Sequence, residues 1–461
     1  MNLHYWIFLF SLACLTACNF IGKSQESFFV SVTVEALSES QNNELEIIKQ
    51  EFGDGNIAIL KLNTNWRKNY SELNLREEIL FNYLNNYYLL SSTYYPSLIS
   101  QNKANNWLVT TPNDLSSENT KVFDEISKFS IISFLSTDDG LQGAGFVADQ
   151  KFYIRPLGNN YHVFISANIE QIPYNDHDDD DFEVEDTDEL EDDLSVYEAN
   201  DIKILHIITN KAKDRITARY TKKVEQYVDQ LIDHSNQTFT AQEIDLTVSN
   251  AGIHFIDYKP VNSKIDVERL AALNDNFLDS VHKLRDDAQA DVVSLIVESH
   301  IGNRRSCGRV RKINSNYQSA FFTVRYDCAF GKFSYLHEIG HLVGCRHNPE
   351  ADPSETYNHG HYERTQKWRS VMSYDCCTIA QRRDPNVTKP CCTRHPTWSD
   401  PSLKLPNKKL KGVKNISENI RVWKGNNALE IANLHENKPS ILSDGYLPND
   451  SSDAVADEPQ Q

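Results

Sequence analysis

The chain has 461 residues, of which 40% are hydrophobic and 24% are charged, and its formal net charge is −19 at pH 7. This length allows two domains, each with a sizeable core. The sequence has no internal repeat, no apolar stretch beyond its first twenty residues that could span a bilayer, and no basic stripe with interleaved aromatic residues. These features argue against a repeat protein, a polytopic membrane protein and a nucleic-acid partner.

The start of the chain is organised like a bacterial export signal. Residues 5–15 are apolar, and the Leu-Thr-Ala-Cys sequence at 15–18 resembles a lipobox, in which the cysteine is lipid-modified and becomes the new amino terminus. Asn19 is not the aspartate that commonly retains a lipoprotein at the inner membrane. We therefore expect residues 1–18 to be a lipoprotein-type signal peptide, with a lipid anchor at Cys18 on the outer membrane or cell surface. Because the first four residues lack Lys and Arg, secretion after ordinary signal cleavage is the alternative.

Residues 19–174 carry short alternating or β-branched runs, at 29–34, 57–60 and 161–165. Such runs are typical of strands. The segment is therefore predicted to be a β-rich folded region.

Residues 175–201 form an acidic linker that includes four consecutive aspartates at 178–181. Such a run repels itself and cannot bury a core, so we expect it to be exposed. Calcium binding or docking to a basic surface is the alternative. Residues 445–461, rich in Ser, Asp, Pro and Gln, are expected to be a disordered tail.

The segment 202–444 alternates strand and helix patterns. A buried strand is predicted at 204–208, and further strands are predicted at 244–248 and 292–297. A helix with one apolar face is predicted to start near residue 224. This alternation predicts an α/β domain.

The most specific feature of the chain is the run His-Glu-x-x-His-x-x-Gly-x-x-His, formed by His337, Glu338, His341, Gly344 and His347. Five specified residue types at fixed offsets rarely coincide by chance, and histidine is scarce. The run predicts a zinc site.

Coordination chemistry explains the spacing. On a helix, His337 and His341 lie one turn apart on the same face and can reach one ion. Gly344 tolerates positive φ and lets the chain turn, so that His347 returns as a third nitrogen ligand. Three protein ligands leave one position open, which is typical of catalytic zinc with a bound water. Glu338 is then placed to act as the general base.

The flanks of the run also favour a helix. Ser334 is the expected N-cap, and Leu336, Ile339, Leu342 and Val343 form an apolar stripe. We expect this stripe to face the core.

At this point the sequence resembles the metzincin zinc peptidases, in which the long histidine run is followed by a methionine turn. The sequence Ser-Val-Met-Ser-Tyr at 370–374 looks like that turn, and the resemblance implies that Met372 forms the floor of the metal site. Tyr374 resembles a tyrosine that stabilises the oxyanion in some metzincins. A role in packing alone is the alternative for Tyr374.

Within the metzincins the segment is most similar to the reprolysin-like, ADAM-related group and its bacterial members. The shared elements lie at 344–347, 359–361, 368–372 and 398–401. The resemblance implies an α/β (α+β) catalytic domain with a mixed twisted sheet and an active-site helix. Asn348 departs from the group, which usually has aspartate after the third histidine; the amide keeps the hydrogen-bonding shape and loses the charge.

The amino-terminal region resembles the end of an ADAM-type prodomain at 140–143, 152–157 and 162–163. A separate substrate- or surface-binding module is the rival interpretation. No cysteine occurs between Cys18 and Cys307, so inhibition by a thiol on the zinc is excluded. Latency would come from steric cover or an oxygen ligand.

Seven of the nine cysteines lie in the carboxy-terminal half, at positions 307, 328, 345, 376, 377, 391 and 392. In an exported protein this clustering predicts disulfides, and an odd number predicts one free thiol. We expect Cys307 to pair with Cys328, because the two flank a predicted strand before the active-site helix. A second zinc site built from the two Cys-Cys pairs is the alternative.

The sequence thus predicts an exported zinc-dependent endopeptidase that acts on protein or peptide substrates, with His337, His341 and His347 as ligands and Glu338 as base. The segment 202–444 is net positive and the rest of the chain strongly negative, which favours docking of the amino-terminal region on the catalytic domain. The competing hypothesis is a surface-exposed binding lipoprotein that retains a non-catalytic zinc site. The intact Glu338 argues against it.

Overall fold

The computed structural model describes most of the carboxy-terminal half and separate parts of the amino-terminal half. The described residues are 29–31, 33–52, 57–62, 78–83, 86–94, 105–110, 131–137, 140–147, 150–165, 199–220, 223–299, 306–377, 392–405 and 408–438. The predicted export signal, most of the acidic linker and the predicted tail lie outside them. Within the described residues, no helix is both long enough and apolar enough to cross a membrane.

The amino-terminal region contains one antiparallel sheet of nine strands, in the order β1-β2-β9-β8-β7-β6-β5-β4-β3. Helix α1 (Glu39–Phe52) packs against β8. The strands are β1 (Phe29–Ser31), β2 (Ile57–Leu62), β3 (Glu78–Tyr83), β4 (Asn86–Tyr94), β5 (Asn105–Thr110), β6 (Ile131–Thr137), β7 (Gly140–Val147), β8 (Gln150–Gly158) and β9 (Tyr161–Ile165).

The predicted β-rich character of this region is confirmed at 57–60 and 161–165. The strand expected over 29–34 is shorter than predicted, because Val34–Ala36 form a 3-10 helix after β1. Leu37, directly after that helix, is buried in the core that the sheet shares with α1. Burial of Leu37 thus accompanies the end of the extended run.

The carboxy-terminal domain is built on a five-stranded sheet in the order β11-β10-β12-β14-β13. Its strands run parallel except β13, which pairs antiparallel with β14 at the edge. Every residue of β12 and β14 is buried, as expected of strands covered on both faces. The strands are β10 (Asp201–Thr209), β11 (Thr247–Ile256), β12 (Val292–Val297), β13 (Gly308–Val310) and β14 (Phe321–Arg325).

Helices cover both faces of this sheet. The helices are α2 (Asn210–Arg219), α3 (Val224–Ala241), α4 (Ser263–Ala271), α5 (Ser280–Asp287), α6 (Tyr326–Gly331), α7 (Ser334–Leu342), α8 (Asn419–Trp423) and α9 (Asn426–Ile431).

The side chains of β10 show how the layers form. Ile204 and Ile208 lie in one core with apolar residues of α2, α3 and α7. Leu205 and Ile207 lie in a second core with residues of α4 and α5. Because alternate residues of a strand point to opposite faces, one buried strand supplies both cores. The α/β class with a mixed sheet, predicted for this segment, is confirmed.

The predicted strands at 204–208 and 292–297 and the helix near 224 are confirmed. The strand expected at 244–248 begins only at Thr247. Ile244 instead donates its backbone N–H to Phe239 O, in the turn that ends α3.

The segment that follows α7 contains five short strands among the described residues. They are β15 (Tyr362–Glu363), β16 (Trp368–Arg369), β17 (Thr393–Arg394), β18 (Asp400–Lys404) and β19 (Leu410–Lys411). The strand β16 lies between β15 and β17, parallel to β17.

The nine-stranded sheet contacts the carboxy-terminal domain through β8. The ring centroid of Tyr153 lies 5.4 Å from that of Phe330 in α6 and 6.0 Å from that of Tyr220. Arg155 donates to Ala218 O at 3.1 Å and pairs with Glu44 of α1 at 3.0 Å. These contacts make the interface partly aromatic and partly polar.

Candidate metal centre

The helix α7 carries His337, Glu338 and His341, and the structure gives it an unusual start. Phe333 precedes it with φ 57° in the left-handed region, and no side chain caps the helix. Ser334 is the first helical residue, so its predicted role as N-cap is wrong. The short helix α6 ends at Gly331, which leaves only two residues between the helices, and the sharp turn at Phe333 takes the place of a capping residue.

A buried hydrogen bond links helix α7 to the central sheet. Tyr335 OH lies 2.9 Å from His206 Nε2 of β10, and His206 Nδ1 lies 3.1 Å from Asn250 Oδ1. Burial lowers the pKa of His206 to about 4. The neutral imidazole therefore donates to Asn250 and accepts from Tyr335, which fixes the helix above the sheet.

The end of α7 turns the chain back toward its own histidines. Gly344 has φ 104°, a conformation that favours glycine. Its N–H donates to His341 O at 3.0 Å, and Cys345 N–H donates to Gly340 O at 2.9 Å. The predicted glycine stop is confirmed. As a consequence, His347 returns to the face of α7 that carries the other two histidines.

The three predicted ligands converge on one point. The Nε2 atoms of His337, His341 and His347 lie 3.0–3.2 Å from one another, and all three side chains are buried. Zinc–nitrogen bonds of about 2.0–2.1 Å place two nitrogens of a tetrahedral site about 3.3 Å apart. The separations fit three nitrogens around one ion.

Hydrogen bonds orient two of these rings. His337 Nδ1 lies 2.9 Å from Val371 O, and His341 Nδ1 lies 2.8 Å from Cys345 O. Because a carbonyl oxygen can only accept, each Nδ1 carries the proton and each Nε2 presents a lone pair. Burial lowers the pKa of His341 and of His347 well below the usual value, and the neighbouring imidazoles lower both further. Three buried rings whose Nε2 atoms converge can hold a cation.

A fourth histidine supports the third ring. His359 is fully buried, and its Nδ1 donates to the backbone carbonyl of His347 at 2.7 Å. Its Nε2 lies 3.0 Å from Ser354 O, on the far side of the ring. In the sequence, His359 is only part of a segment that resembles the reprolysin-like group, because spacing gives no indication that it returns to His347.

Met372 lies against α7 at Gly340. A Cβ atom added to Gly340 would be 2.6 Å from Met372 Sδ and 2.8 Å from the ring of Trp398. Met372 and Trp398 are both fully buried. Only a glycine at position 340 allows the helix, the methionine and the indole to approach this closely.

Asn348 ties the segment of the third histidine to the methionine turn. Its Oδ1 accepts from Tyr374 N at 2.9 Å and from Ser373 Oγ at 3.4 Å, and its Nδ2 donates to Glu350 at 2.9 Å. An amide can both accept and donate here. This explains how the chain keeps the turn without the aspartate that the resembling group usually has.

Two side chains flank the three rings. The ring of Tyr374 lies 4.2 Å from that of His347. Glu338 is fully buried, and a Cβ atom added to Gly308 would be 2.5 Å from Glu338 Oε1. The carboxylate therefore lies between α7 and the edge strand β13.

Disulfides secure the surrounding segments. The predicted bond between Cys307 and Cys328 is confirmed, and it links the start of β13 to α6. Cys376 pairs with Cys392, and Cys377 is also disulfide-bonded, which excludes a thiolate zinc site at these positions. Cys345 is the free thiol among the described cysteines and is buried. Cys391 lies outside the described residues.

Residues 199–389 match a reprolysin-type model of metallo-peptidase family M12, and the match contains all three converging histidines. This segment is an M12 metallopeptidase domain. The predicted reprolysin-like resemblance is thus confirmed for the domain.

Curated relatives agree with the M12 assignment. The chain is 31% identical over 294 residues to a peptidyl-Asp metalloendopeptidase of Stenotrophomonas maltophilia, covering 59% of this chain and 64% of the relative. It is also 31% identical over 225 residues to a peptidyl-Asp metalloendopeptidase of Xanthomonas campestris pv. campestris, covering 48% and 49%. The chain thus spans between about half and just under two thirds of these relatives.

Solved structures show a weaker likeness. Metalloproteinase-II from Bacteroides fragilis aligns with 11% identity and a TM-score of 0.37, over 63% of this chain and 86% of that one. A chain from a chaperone-substrate complex aligns with 14% identity and a TM-score of 0.39, over 65% and 41%. The M12 assignment therefore rests on the sequence matches and on the geometry of the three histidines.

Proposed function

We propose that the protein is a zinc-dependent endopeptidase that hydrolyses peptide bonds of proteins. The convergence of three buried imidazoles, whose Nε2 atoms lie within 3.2 Å of one another, carries the proposal. His337, His341 and His347 would hold the ion, and Met372 would form the floor beneath it. Zinc bound by three nitrogens keeps an open position, where it activates water and polarises a carbonyl.

Glu338 is proposed as the general base. It directly follows the first ligand on α7, so its carboxylate would be available to the water that attacks the peptide bond. Accepting the proton of that water and passing it to the departing amine needs a carboxylate that reaches both atoms. The position of Glu338 between α7 and β13 supports this role.

The strand β13 offers a place for an extended substrate. It is the last strand of the central sheet among the described residues, and it runs antiparallel to its neighbour. An edge strand can pair with a peptide through main-chain hydrogen bonds. A peptide that extends along β13 would pass Glu338 at Gly308, which would place its scissile bond beside the general base.

The proposed substrate class is a protein with an aspartyl residue at the cleavage point. The relatives in Stenotrophomonas and Xanthomonas that match the domain are named peptidyl-Asp metalloendopeptidases. The names support an acidic preference for this chain.

Export and maturation complete the proposal. The lipobox-like sequence supports a lipid anchor at Cys18 on the outer membrane or cell surface, with secretion as the alternative. Residues 19–174 are proposed to act as a prodomain that docks on the domain 202–444 across the acidic linker 175–201. The contacts of Tyr153 with Phe330 and the opposite charges of the two regions support docking. Mass spectrometry of the native amino terminus measures both lipidation and processing; an unmodified start at residue 1 would contradict export.

The proposal is tested with the purified full chain and an unfolded protein substrate. We expect cleavage that stops with a zinc chelator and returns on adding zinc in equimolar amount. The competing hypothesis, a surface-binding lipoprotein with a non-catalytic zinc site, predicts bound zinc without cleavage of any member of a broad peptide library. That result would overturn the proposed function.

A further inference from the structure

The hairpin of β18 and β19 and the turn that follows it form a basic and apolar surface. Between residues 404 and 416 the sequence has five lysines and no aspartate or glutamate, in a chain whose net charge is −19. Three large apolar side chains of this segment are exposed to 42–46%: Leu410, Val413 and Ile416. Apolar groups exposed within a region of one charge sign mark a surface for a partner of opposite charge.

Backbone contacts bring these residues together. Lys404 of β18 is the register partner of Leu410 in β19. Ile416 and Ser417 both donate their backbone N–H to Val413 O, at 3.0 and 2.7 Å, which closes a tight turn after the hairpin. The six exposed residues of this hairpin and turn are called the basic patch, and they are Lys404, Lys408, Leu410, Val413, Lys414 and Ile416.

The three lysines of the basic patch form no ion pair among the described residues, whereas the other two lysines of the segment are engaged. Lys409 pairs with Glu363 at 2.8 Å. Lys411 is buried, and its Nζ lies 5.8 Å from the ring centroid of Trp368. Three exposed positive charges are therefore left for a partner.

The acidic linker of the same chain has the complementary composition. Residues 176–193 contain thirteen aspartates and glutamates and no lysine or arginine. Three apolar residues are interleaved with the acidic ones, namely Phe182, Val184 and Leu190. The linker and the basic patch thus match in charge and in apolar content, so ion pairs and apolar contacts can form together.

The linker ends within reach of the basic patch. Ala199 donates its N–H to Asn433 Oδ1 at 3.2 Å, and Asn433 Nδ2 donates to Ala199 O at 2.9 Å. Helices α8 and α9, of five and six residues, lie between Ser417 and Asn433. At about 1.5 Å per helical residue and 3.6 Å for each of the others, Asn433 is at most about 35 Å from Ser417. Residues 176–198 span up to about 80 Å when extended, which exceeds this distance.

We propose that the basic patch binds the acidic linker, residues 176–193, of the same chain. Surface ion pairs are individually weak and are screened by salt. The covalent connection compensates for this weakness, because a short tether gives an effective concentration of roughly millimolar. The bound linker holds the amino-terminal region on the domain at a second place, besides the contact of Tyr153 with Phe330.

The first test is cross-linking of the full chain carrying Glu338→Ala, so that the result is independent of any peptidase activity. A water-soluble carbodiimide joins a lysine Nζ to a neighbouring carboxylate as an amide, and mass spectrometry locates the bond. Mixed light and isotope-labelled chains distinguish bonds within one chain from bonds between two. At 0.1 M salt we expect bonds from the patch lysines to residues 176–193 to be at least about fivefold more frequent than bonds from control lysines. At 1 M salt, where the Debye length falls to about 3 Å, the excess should disappear. The control lysines are exposed elsewhere in the domain, and they are Lys211, Lys259 and Lys264.

The second test removes the charge of the basic patch in the same chain. The triple variant Lys404→Gln, Lys408→Gln and Lys414→Gln should release the linker. The initial rate at which a glutamate-specific protease cuts within residues 176–193 should then rise about fivefold, because such cutting follows the population of the unbound linker.

The matched control replaces Lys211, Lys259 and Lys264 by Gln, which removes the same charge from exposed positions outside the patch. It should change the cutting rate by less than about 1.5-fold. If the patch variant does not fold, the linker is changed instead: replacing the four aspartates at 178–181 by Asn leaves the domain intact and should raise the cutting rate in the same direction.

Three results would overturn the inference. One is a frequency of linker cross-links at the level of the control lysines, with unchanged cutting in a folded patch variant. Another is cross-linking of the patch only between two chains, which would assign it to a second copy. The third is binding of the full chain to vesicles of phosphatidylcholine and phosphatidylglycerol that is lost in the patch variant, without linker cross-links, which would assign the patch to a lipid surface.

Discussion

Replacing Gly340 by alanine tests the packing beneath the metal centre. The added Cβ would be 2.6 Å from Met372 Sδ and 2.8 Å from the ring of Trp398. Alanine favours a helix over glycine by about 1 kcal/mol. Overpacking a filled core costs about 1–3 kcal/mol, and the cost should exceed this range slightly here because both contacts are below 3.0 Å and the indole is fully buried.

We therefore expect Gly340→Ala to lower the free energy of unfolding by about 2 kcal/mol net. For a domain of this size the Tm should fall by about 4–8 °C. The assay is thermal unfolding followed by circular dichroism, with zinc content measured in parallel, since a displaced α7 separates the histidines. In a matched double variant, Gly340→Ala with Met372→Ala, the loss should be smaller than the sum of the losses of the two single variants, because one of the two clashes is gone. A Tm equal to or above the wild type in the single variant would refute the packing described for the centre.

Three further predictions concern the surroundings of the site. Asn348→Ala should lower the free energy of unfolding by about 1–2 kcal/mol, because Tyr374 N loses its buried acceptor. Asn348→Asp keeps an acceptor oxygen and should retain most of the wild-type stability. Denaturant unfolding measures the free energy for both variants. Tyr374→Phe should reduce kcat about 10- to 100-fold if the hydroxyl stabilises the oxyanion, and a kcat within about twofold of the wild type assigns Tyr374 to packing. The folded-state pKa of His206 is about 4, below its ordinary value. The neutral form therefore contributes stability that is fully present above pH 6.5 and is lost as the pH falls toward 4, by up to about 3 kcal/mol. His206→Gln should flatten the pH dependence of the unfolding free energy over that window, and an equally steep profile would contradict the assignment.

The sequence predicted the features that depend on local spacing. Histidines four residues apart must share a helix face, and a glycine three residues later allows the turn that brings back His347. Both follow from backbone geometry within one short segment. The strand at 292–297 was predictable because its apolar run is short and rich in β-branched residues, which favours a strand over a helix.

Contacts made by distant segments were not predictable. The approach of Gly308 to Glu338, the bond from His359 to His347 and the position of Arg394 beside Lys332 all depend on how loops fold onto the sheet. No local pattern encodes such pairings. Ser334 has a residue type that is typical of an N-cap, but the turn at Phe333 leaves it inside the helix.

The amino-terminal sheet shows the same limit on a larger scale. Individual strands such as Ile57–Leu62 and Tyr161–Ile165 follow from their β-branched runs. Their pairing with each other joins residues about a hundred positions apart in the sequence and follows from the whole fold.

The most direct test of the central claim is the effect of Glu338→Ala on zinc content and peptide cleavage in one preparation. The account predicts one zinc per chain, as in the wild type, and a loss of kcat of at least about 100-fold, the contribution typical of a positioned general base. Glu355→Ala, an exposed carboxylate after the third histidine, serves as the control and should cleave normally. Cleavage by the zinc-loaded Glu338→Ala protein at the wild-type rate would contradict the account.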